Sequence, residues 1–330
     1  MQTGTLDVDA QTARRLYREL VRIRMIEEKI VELYPEQEMR CPVHLSIGQE
    51  AVPVGLCAHL RKDDQVMSTH RGHAHYLAKG GDLRRMYAEF YGKETGCDSG
   101  RGGSMHLLDL EAGFLGSVPI VGSTIPIAVG AAWASRLRGE TDRVTVVFFG
   151  EGATEEGVFY ESINFASLKQ LPVLFVCENN QYSVYSPMNV RQPAGVPVRE
   201  KATAHGVPVL HGDGNDLQAV YALSRQAVAH VRSGAGPMFV EFDTYRWREH
   251  CGPNYDNTIG YRTEEEFQSW RKRCPVDAFE SLVTAAGVMT ATDVAGVRQE
   301  IQAEIESAVA FAKTSPFPAA TEASRFTYAE

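Results

Sequence analysis

The chain has 330 residues, a hydrophobic fraction of 44% and a formal charge of −9 at pH 7, and a chain of this length can bury roughly 75% of its unfolded surface without covalent staples. The negative balance argues against broad attraction to nucleic acid or anionic lipid and leaves only local basic patches. Cys41, Cys57, Cys97, Cys177, Cys251 and Cys274 show no paired spacing and no CxxC arrangement, so neither a disulfide framework nor a cysteine zinc site is indicated, and reduced thiols inside a cell are expected.

The first 20 residues mix Asp, Glu and Arg without an apolar signal core. No later stretch supplies about 18 charge-free apolar residues, so a soluble, cytoplasmic chain with no membrane span is expected. Leu16, Leu20, Ile23, Ile26 and Ile30 recur at helical spacing, which predicts a helix over about 11–34 that stops before Pro35. "LSIGQEAVPVGLCAHLRKDD" reads as a tightly packed helix started or interrupted near Pro53. "QVMSTHRGHAHYLAKGG" reads as a short strand followed by a histidine and arginine cluster. Between Gly92 and Gly122 glycines are dense enough for sharp turns or close ligand approach, yet Met, His, Leu and Phe make a disordered linker a poor reading.

"PIAVGAAWASRLRGE" then predicts a small-residue helix, "RVTVVFFG" a strand, "TEEGVFYESINFASLKQL" an amphipathic helix using Val158, Ile163, Phe165 and Leu168, and "PVLFVCE" a second strand. Strand, helix and strand over this length form a βαβ unit, and apolar runs without alternation imply strands buried on both faces. The pattern continues through "VPVLHGDGND", "LQAVYALSRQAVAHVRSG" and "PMFVEFDTYRW". An irregular span from Arg248 to Thr263 precedes a helical extension over about 264–315. The expected fold is α/β, with a mostly parallel central sheet flanked by helices, in a single domain over 1–330.

Within the βαβ unit, "VVFFGEG" and "VLFVCENN" place Glu151 and Asn180 just past two neighbouring strands. Ligand groups in open parallel sheets gather at those carboxyl ends. A carboxylate and an amide oxygen are hard donors suited to Mg²⁺, which retains waters and binds ligand phosphates. The bland alternative is that Glu151 flanks a helix N-terminus and Asn180 closes a turn.

These residues carry a resemblance. "GEG", 26 intervening residues and "NN" match the thiamine diphosphate-binding motif, with Glu in place of the usual Asp. Together with "IGQEAVPVG", "GRGGSMH", "IVGSTIPIAVGAA" and "YRTEEE", they make the chain resemble the alpha subunit of thiamine diphosphate-dependent 2-oxo acid dehydrogenases acting on pyruvate, branched-chain oxo acids or acetoin. The resemblance implies a thiamine diphosphate-binding fold, with Mg²⁺ held by the side chains of Glu151 and Asn180 and the backbone carbonyl of Tyr182. Gly150 and Gly152 would let the diphosphate approach, and Gly152 and Ala153 would lead into a helix whose free N–H groups meet phosphate oxygens.

In "THRGHAHY" the matching family segment reads Tyr-Arg-x-His, so Arg71 is expected to grip the diphosphate and His73 to line the approach to the thiazolium, or else to stand behind it as a satisfied histidine. His70 replaces the usual Tyr beside the aminopyrimidine. The carbonyl of Val121 would receive the cofactor's amino proton. His250 aligns with a family histidine near the cofactor phosphate, and Cys251 replaces a serine phosphorylated in mitochondrial relatives, so that regulation is not expected. His73 and His250 are the expected proton-handling residues. Arg248 is expected to add positive charge at the entrance, unless its segment is a fixed solvent-exposed turn. The length matches only the diphosphate-binding half, so a beta subunit is expected to supply the activating glutamate in an α₂β₂ heterotetramer, with a lipoyl acyltransferase core as a further partner. A 2-oxo acid is the expected donor. The alternative is a two-subunit, transketolase-like acyl or ketol transferase acting on a ketose-type donor.

Overall fold

A computed structural model describes residues 5–39 and 41–324. Helices α1 (Ala10–Leu33) and α2 (Ala51–Cys57) precede strand β1 (Gln65–Thr69); α3 (His73–Lys79) and α4 (Leu83–Phe90) separate it from β2 (Phe114–Val118). There follow α5 (Thr124–Leu137), β3 (Thr145–Gly150), α6 (Gly157–Leu168) and β4 (Val173–Asn179). A small hairpin of β5 (Tyr182–Ser183) and β6 (Ser186–Pro187) and the single turns α7 (Met188–Arg191) and α8 (Glu200–Thr203) lead to β7 (Val209–Asp213), α9 (Leu217–Arg232) and β8 (Met238–Asp243). Helices α10 (Glu264–Arg271), α11 (Pro275–Ala285) and α12 (Ala291–Thr314) close the chain.

Six strands form one sheet in the order β2-β1-β3-β4-β8-β7, all pairs parallel. Every residue of β4 is buried, as a strand covered on both faces requires. Val146, Phe148, Leu174 and Val176 point into the core shared with α2, α3 and α9. Their neighbours Val147, Phe149, Phe175 and Cys177 point into the core under α5 and α6. The period of two, hidden in an apolar run, thus sorts side chains between two helical layers. The terminal helices extend the first layer: α12 packs on α4 and α1, and α11 on α1.

Helix ends follow local chemistry. The Asp9 carboxylate accepts the Thr12 N–H at 2.9 Å to start α1, and Thr290 with Asp293 forms a reciprocal capping box on α12. Helix α4 and strand β2 are among the elements not expected from the sequence. Helix α4 lacks the length for a strong periodic signal, although Asp82 caps it through the N–H groups of Arg84 and Arg85. Strand β2 lies inside the glycine-rich zone, where pairing with β1 overrides weak local propensity.

The expected inner face of α6 needs correction. Phe159, Ile163 and Ala166 are buried, whereas Phe165 and Leu168 are 38% and 72% exposed. The face pressed on the sheet is the one spaced by four and three residues from Phe159, leaving Phe165 and Leu168 outward. No described helix is both long and apolar enough to cross a membrane.

Candidate active site

Register places the ends of β3 and β4 side by side, with Gly150 opposite Glu178. Glu151 and Asn180 therefore stand one residue beyond adjacent strands and line one cleft with Gln49, Arg71, Gly150, Gly152, Tyr182 and His250. The chain after Gly150 does not enter α6 directly. It makes a tight turn over Glu151–Glu155, and α6 begins only at Gly157, so the backbone N–H groups beside Gly152 and Ala153 belong to that turn. A side chain at Gly150 would meet only the Glu178 carbonyl at 4.0 Å, whereas a Cβ at Gly152 would press within 3.0 Å of Ser183 Oγ. The backbone at Gly150 is thus open because no side chain is there, whereas glycine at 152 makes room for Ser183 and Arg191.

Glu151 is buried, and burial raises its carboxyl pKa against the opposing pull of Arg191. Arg191 Nη2 donates to Glu151 Oε1 at 2.5 Å, and its other terminal nitrogen reaches Glu155. A guanidinium thus stands where a cation is needed, which identifies Glu151 as a buried carboxylate that requires a positive partner. Asn180 Oδ1 accepts the Tyr182 N–H at 3.2 Å and its amide donates to Gln49 Oε1 at 3.1 Å. That pairing fixes the amide orientation and leaves the oxygen a second lone pair. The Tyr182 hydroxyl donates to Glu266 at 2.7 Å, so only the Tyr182 backbone is available to the cleft.

Arg71, in the same lining, is 6% exposed. It donates to the carbonyls of Leu45 at 2.7 Å and His250 at 3.3 Å and makes no ion pair with any described carboxylate. Burial, reinforced by Arg246, lowers its pKa to about 9, so it remains charged at neutral pH. Three imidazoles crowd beside it: the ring centroids of His44, His70 and His250 lie 4.6, 5.0 and 5.1 Å apart. Burial followed by the charge of Arg71 lowers His70 and His250 to about 3 and pushes His44 down further. All three are neutral at physiological pH. Val121 lies half-exposed at the cleft edge.

His73 does not occupy the place expected of it. It is fully buried, outside the cleft lining, with Nδ1 3.2 Å from Glu27 Oε1 and Nε2 2.7 Å from Ser104 Oγ. With Nδ1–H donated to the carboxylate, Nε2 accepts the Ser104 hydroxyl, and both nitrogens are used. Truncation would leave the Glu27 carboxylate only the Ser46 N–H at 3.2 Å, so His73→Ala is expected to lower folding stability by about 1–3 kcal/mol in urea denaturation. A loss under 1 kcal/mol accompanied by collapsed turnover would restore the catalytic reading.

Arg248 also departs from expectation. Its Nη2 pairs with Glu28 at 3.0 Å and its guanidinium covers the Tyr255 ring at 4.0 Å, away from the cleft. The segment around it is pinned: Arg262 and Arg246 both pair with Asp256, and Tyr261 donates to Asp256 at 2.7 Å. Cys251 is exposed and free, and burial followed by Glu249 raises its thiol pKa, contrary to an activated thiolate.

Sequence reasoning passed over His44, Gln49, Glu178 and Arg191. A usable signal existed for Gln49, a polar residue inside the small apolar run "LSIGQEAVPVG". Arg191 carried none, because its significance arises only where the α7 turn folds back to Glu151.

A parallel α/β sheet, oxygen donors at two adjacent strand ends and a buried arginine without a carboxylate partner in the same cleft are features of a ligand crevice of the open α/β type. The chain belongs to the dehydrogenase E1 component family, whose model matches residues 18–321. It is similar to the alpha subunit of acetoin:2,6-dichlorophenolindophenol oxidoreductase from Bacillus subtilis (strain 168), with 37% identity over 96% of this chain and 93% of that one. It is also similar to pyruvate dehydrogenase E1 component subunit alpha from Porphyra purpurea, at 36% identity over 96% and 92% of the two chains. The chloroplastic pyruvate dehydrogenase E1 component subunit alpha-3 of Arabidopsis thaliana is 35% identical over 95% of this chain and 74% of its own.

Proposed function

We propose that this chain is the alpha component of a thiamine diphosphate-dependent dehydrogenase that decarboxylates a 2-oxo acid and passes the acyl group to a lipoyl acceptor. The observation that carries the reading is the buried Arg71, without a carboxylate partner, lining one cleft with Glu151 and Asn180. A diphosphate would neutralise Arg71, and Mg²⁺ would take the place of the Arg191 guanidinium at Glu151. Asn180 would add its side-chain oxygen and Tyr182 its backbone carbonyl. Gly150 leaves backbone open to phosphate oxygens, and Val121, half-exposed at the cleft edge, would supply a backbone carbonyl. Bound thiamine supplies the electron sink for decarboxylation that no amino-acid side chain provides. The chain's own part is binding and orientation: Arg71 holds negative charge, while neutral His250 and His70 can donate or accept a proton at their ring nitrogens.

The cleft encloses about 180 Å³, less than the roughly 300–1,000 Å³ of complete ligand pockets. That shortfall supports a shared site, closed by a beta subunit that brings the activating glutamate in an α₂β₂ heterotetramer. Exposed Ile127 and Leu137 on α5 and Tyr160, Phe165 and Leu168 on α6 supply apolar surface for such assembly. A lipoyl acyltransferase core would be a further partner. Ketol or acyl transfer to an aldehyde requires the same cleft, but the relatives named above are described as oxidoreductase or dehydrogenase subunits.

Co-purification with a beta subunit and assay against pyruvate, branched-chain 2-oxo acids, acetoin and ketose donors, with lipoyl, dye or aldehyde acceptors, tests the proposal. Turnover of a 2-oxo acid or acetoin with a lipoyl or dye acceptor is expected only with both subunits, magnesium and thiamine diphosphate. Turnover by this chain alone would overturn the shared-site reading, and turnover confined to ketose and aldehyde would overturn the dehydrogenase reading.

A further inference from the structure

The "YRTEEE" stretch lies outside the cleft lined by Glu151 and Asn180, yet its last residue reaches the wall of that cleft. Glu266 sits in the first turn of α10, and both of its carboxylate oxygens accept the Tyr182 hydroxyl, at 2.7 and 2.9 Å. Tyr182 lines the cleft with Glu151 and, together with Glu266, a neighbouring one. We infer, on the reading that magnesium binds beside Glu151, that Glu266 is a positioning residue: through the Tyr182 hydroxyl it fixes the direction of the Tyr182 backbone carbonyl, the third oxygen beside Glu151 and Asn180.

The turn that carries Tyr182 needs outside support. Gln181 and Val184, on either side of Tyr182 and Ser183, have φ of 71° and 55°, a left-handed region uncommon for residues other than glycine and least suited to β-branched valine. Such conformations persist only where the surroundings fix them. Arg246 holds one end by donating to the Val184 carbonyl at 2.7 Å, and the Asn180 side chain holds the Tyr182 N–H at 3.2 Å. The hairpin gives the Tyr182 carbonyl no such anchor from the residue opposite, because Pro187 has no N–H to donate. The side chain steadies that peptide instead. Its ring packs edge-on against Tyr245 and Tyr261, with centroids 6.1 and 5.2 Å away, and its hydroxyl is tied to Glu266. Glu266 is held in turn, since its N–H donates to the Thr263 hydroxyl that caps α10, at 3.1 Å. Ring packing has no directional bond, so the tie to Glu266 sets where the carbonyl points. Partners one step behind a metal ligand change metal affinity by about 10- to 100-fold when removed.

The test uses the assembled protein with thiamine diphosphate in excess and Mn²⁺ as a paramagnetic stand-in for Mg²⁺, followed by electron paramagnetic resonance. Tyr182→Phe, which leaves α10 and the ring in place, should weaken Mn²⁺ binding at least about tenfold and admit an extra water to the bound ion, seen as added line broadening in ¹⁷O-labelled water. Glu266→Ala should do the same. Glu266→Gln, whose amide oxygen still accepts the hydroxyl, should recover most of the loss. The double variant Tyr182→Phe/Glu266→Ala should be no weaker than either single one, because both remove one interaction. Unchanged affinity in Tyr182→Phe, a loss without added water, a Glu266→Gln loss equal to that of Glu266→Ala, or additive losses in the double variant would each overturn the positioning role. Those results leave the magnesium site standing as long as the parent binds Mn²⁺ and Glu151→Gln does not, whereas a parent that forms no Mn²⁺ complex would overturn both.

Discussion

Arg71→Ala is expected to lower thiamine diphosphate affinity by roughly 30- to 1,000-fold, equivalent to about 2–4 kcal/mol, when measured by calorimetry with magnesium in the assembled protein. The size follows from the environment. Arg71 is buried, has no carboxylate partner and is anchored by the Leu45 and His250 carbonyls, so its charge is left for a ligand. Water screens a charge at this depth weakly, and a forked guanidinium matches phosphate oxygens with two parallel donors. Arg71→Lys keeps the charge and loses the fork, so it should fall between parent and alanine. The effect on folding should be much smaller than on binding. Loss of the donors leaves two carbonyls unpaired, at about 1–3 kcal/mol for a buried group, but it also removes an uncompensated buried charge. Affinity within threefold of the parent would refute the diphosphate role.

Glu151→Gln is expected to weaken magnesium-dependent cofactor binding by about 100-fold or more while the unfolding midpoint moves by no more than roughly 4 °C. The substitution keeps size and one oxygen but removes the charge that attracts a divalent ion. The small folding effect follows from the raised pKa of Glu151, caused first by burial. An acid whose folded pKa lies above its unfolded value makes the fold less stable as pH rises from the unfolded value through the folded one. Without metal, the ionised Glu151 is therefore a net cost that glutamine removes, offset by the weaker hold on Arg191, which retains Glu155. The metal-free parent should accordingly gain stability as pH falls toward the ordinary carboxylate range relative to Glu151→Gln. Equal cofactor affinity in both proteins, with magnesium still required, would remove Glu151 from the metal site.

The arrangement of β3, α6 and β4 was legible from the sequence because its information is local. Two uninterrupted apolar runs require burial on both faces, one helix-length connection makes them parallel neighbours, and the polar residues that end each run must then share a crevice. Glu151 and Asn180 stand 29 positions apart in the chain, with Gly150 held opposite Glu178 by sheet pairing. The long helices α1 and α12 were equally visible, since periodic apolar positions and capping residues are encoded within a few turns.

The histidine arrangement could not be read that way. His44, His70 and His250 come from three distant segments, and only the packing of the Leu45 and His250 backbone around Arg71 brings them together. His73, two positions from Arg71, faces the other way because α3 begins at His73 and its first turn carries the ring toward Glu27 and Ser104. A helix turns about 100° per residue, so neighbours in sequence diverge in direction, whereas residues distant in sequence meet wherever the core brings their elements together. For the same reason the outward side of α6 depended on which face met the sheet, and Arg191 gained its partner only when the chain beyond the β5–β6 hairpin folded back onto Glu151. Local pattern thus determined the buried strands β3 and β4 and where they end; three-dimensional packing added β2 to the sheet and decided which side chains stand in the cleft and which of them lack a partner.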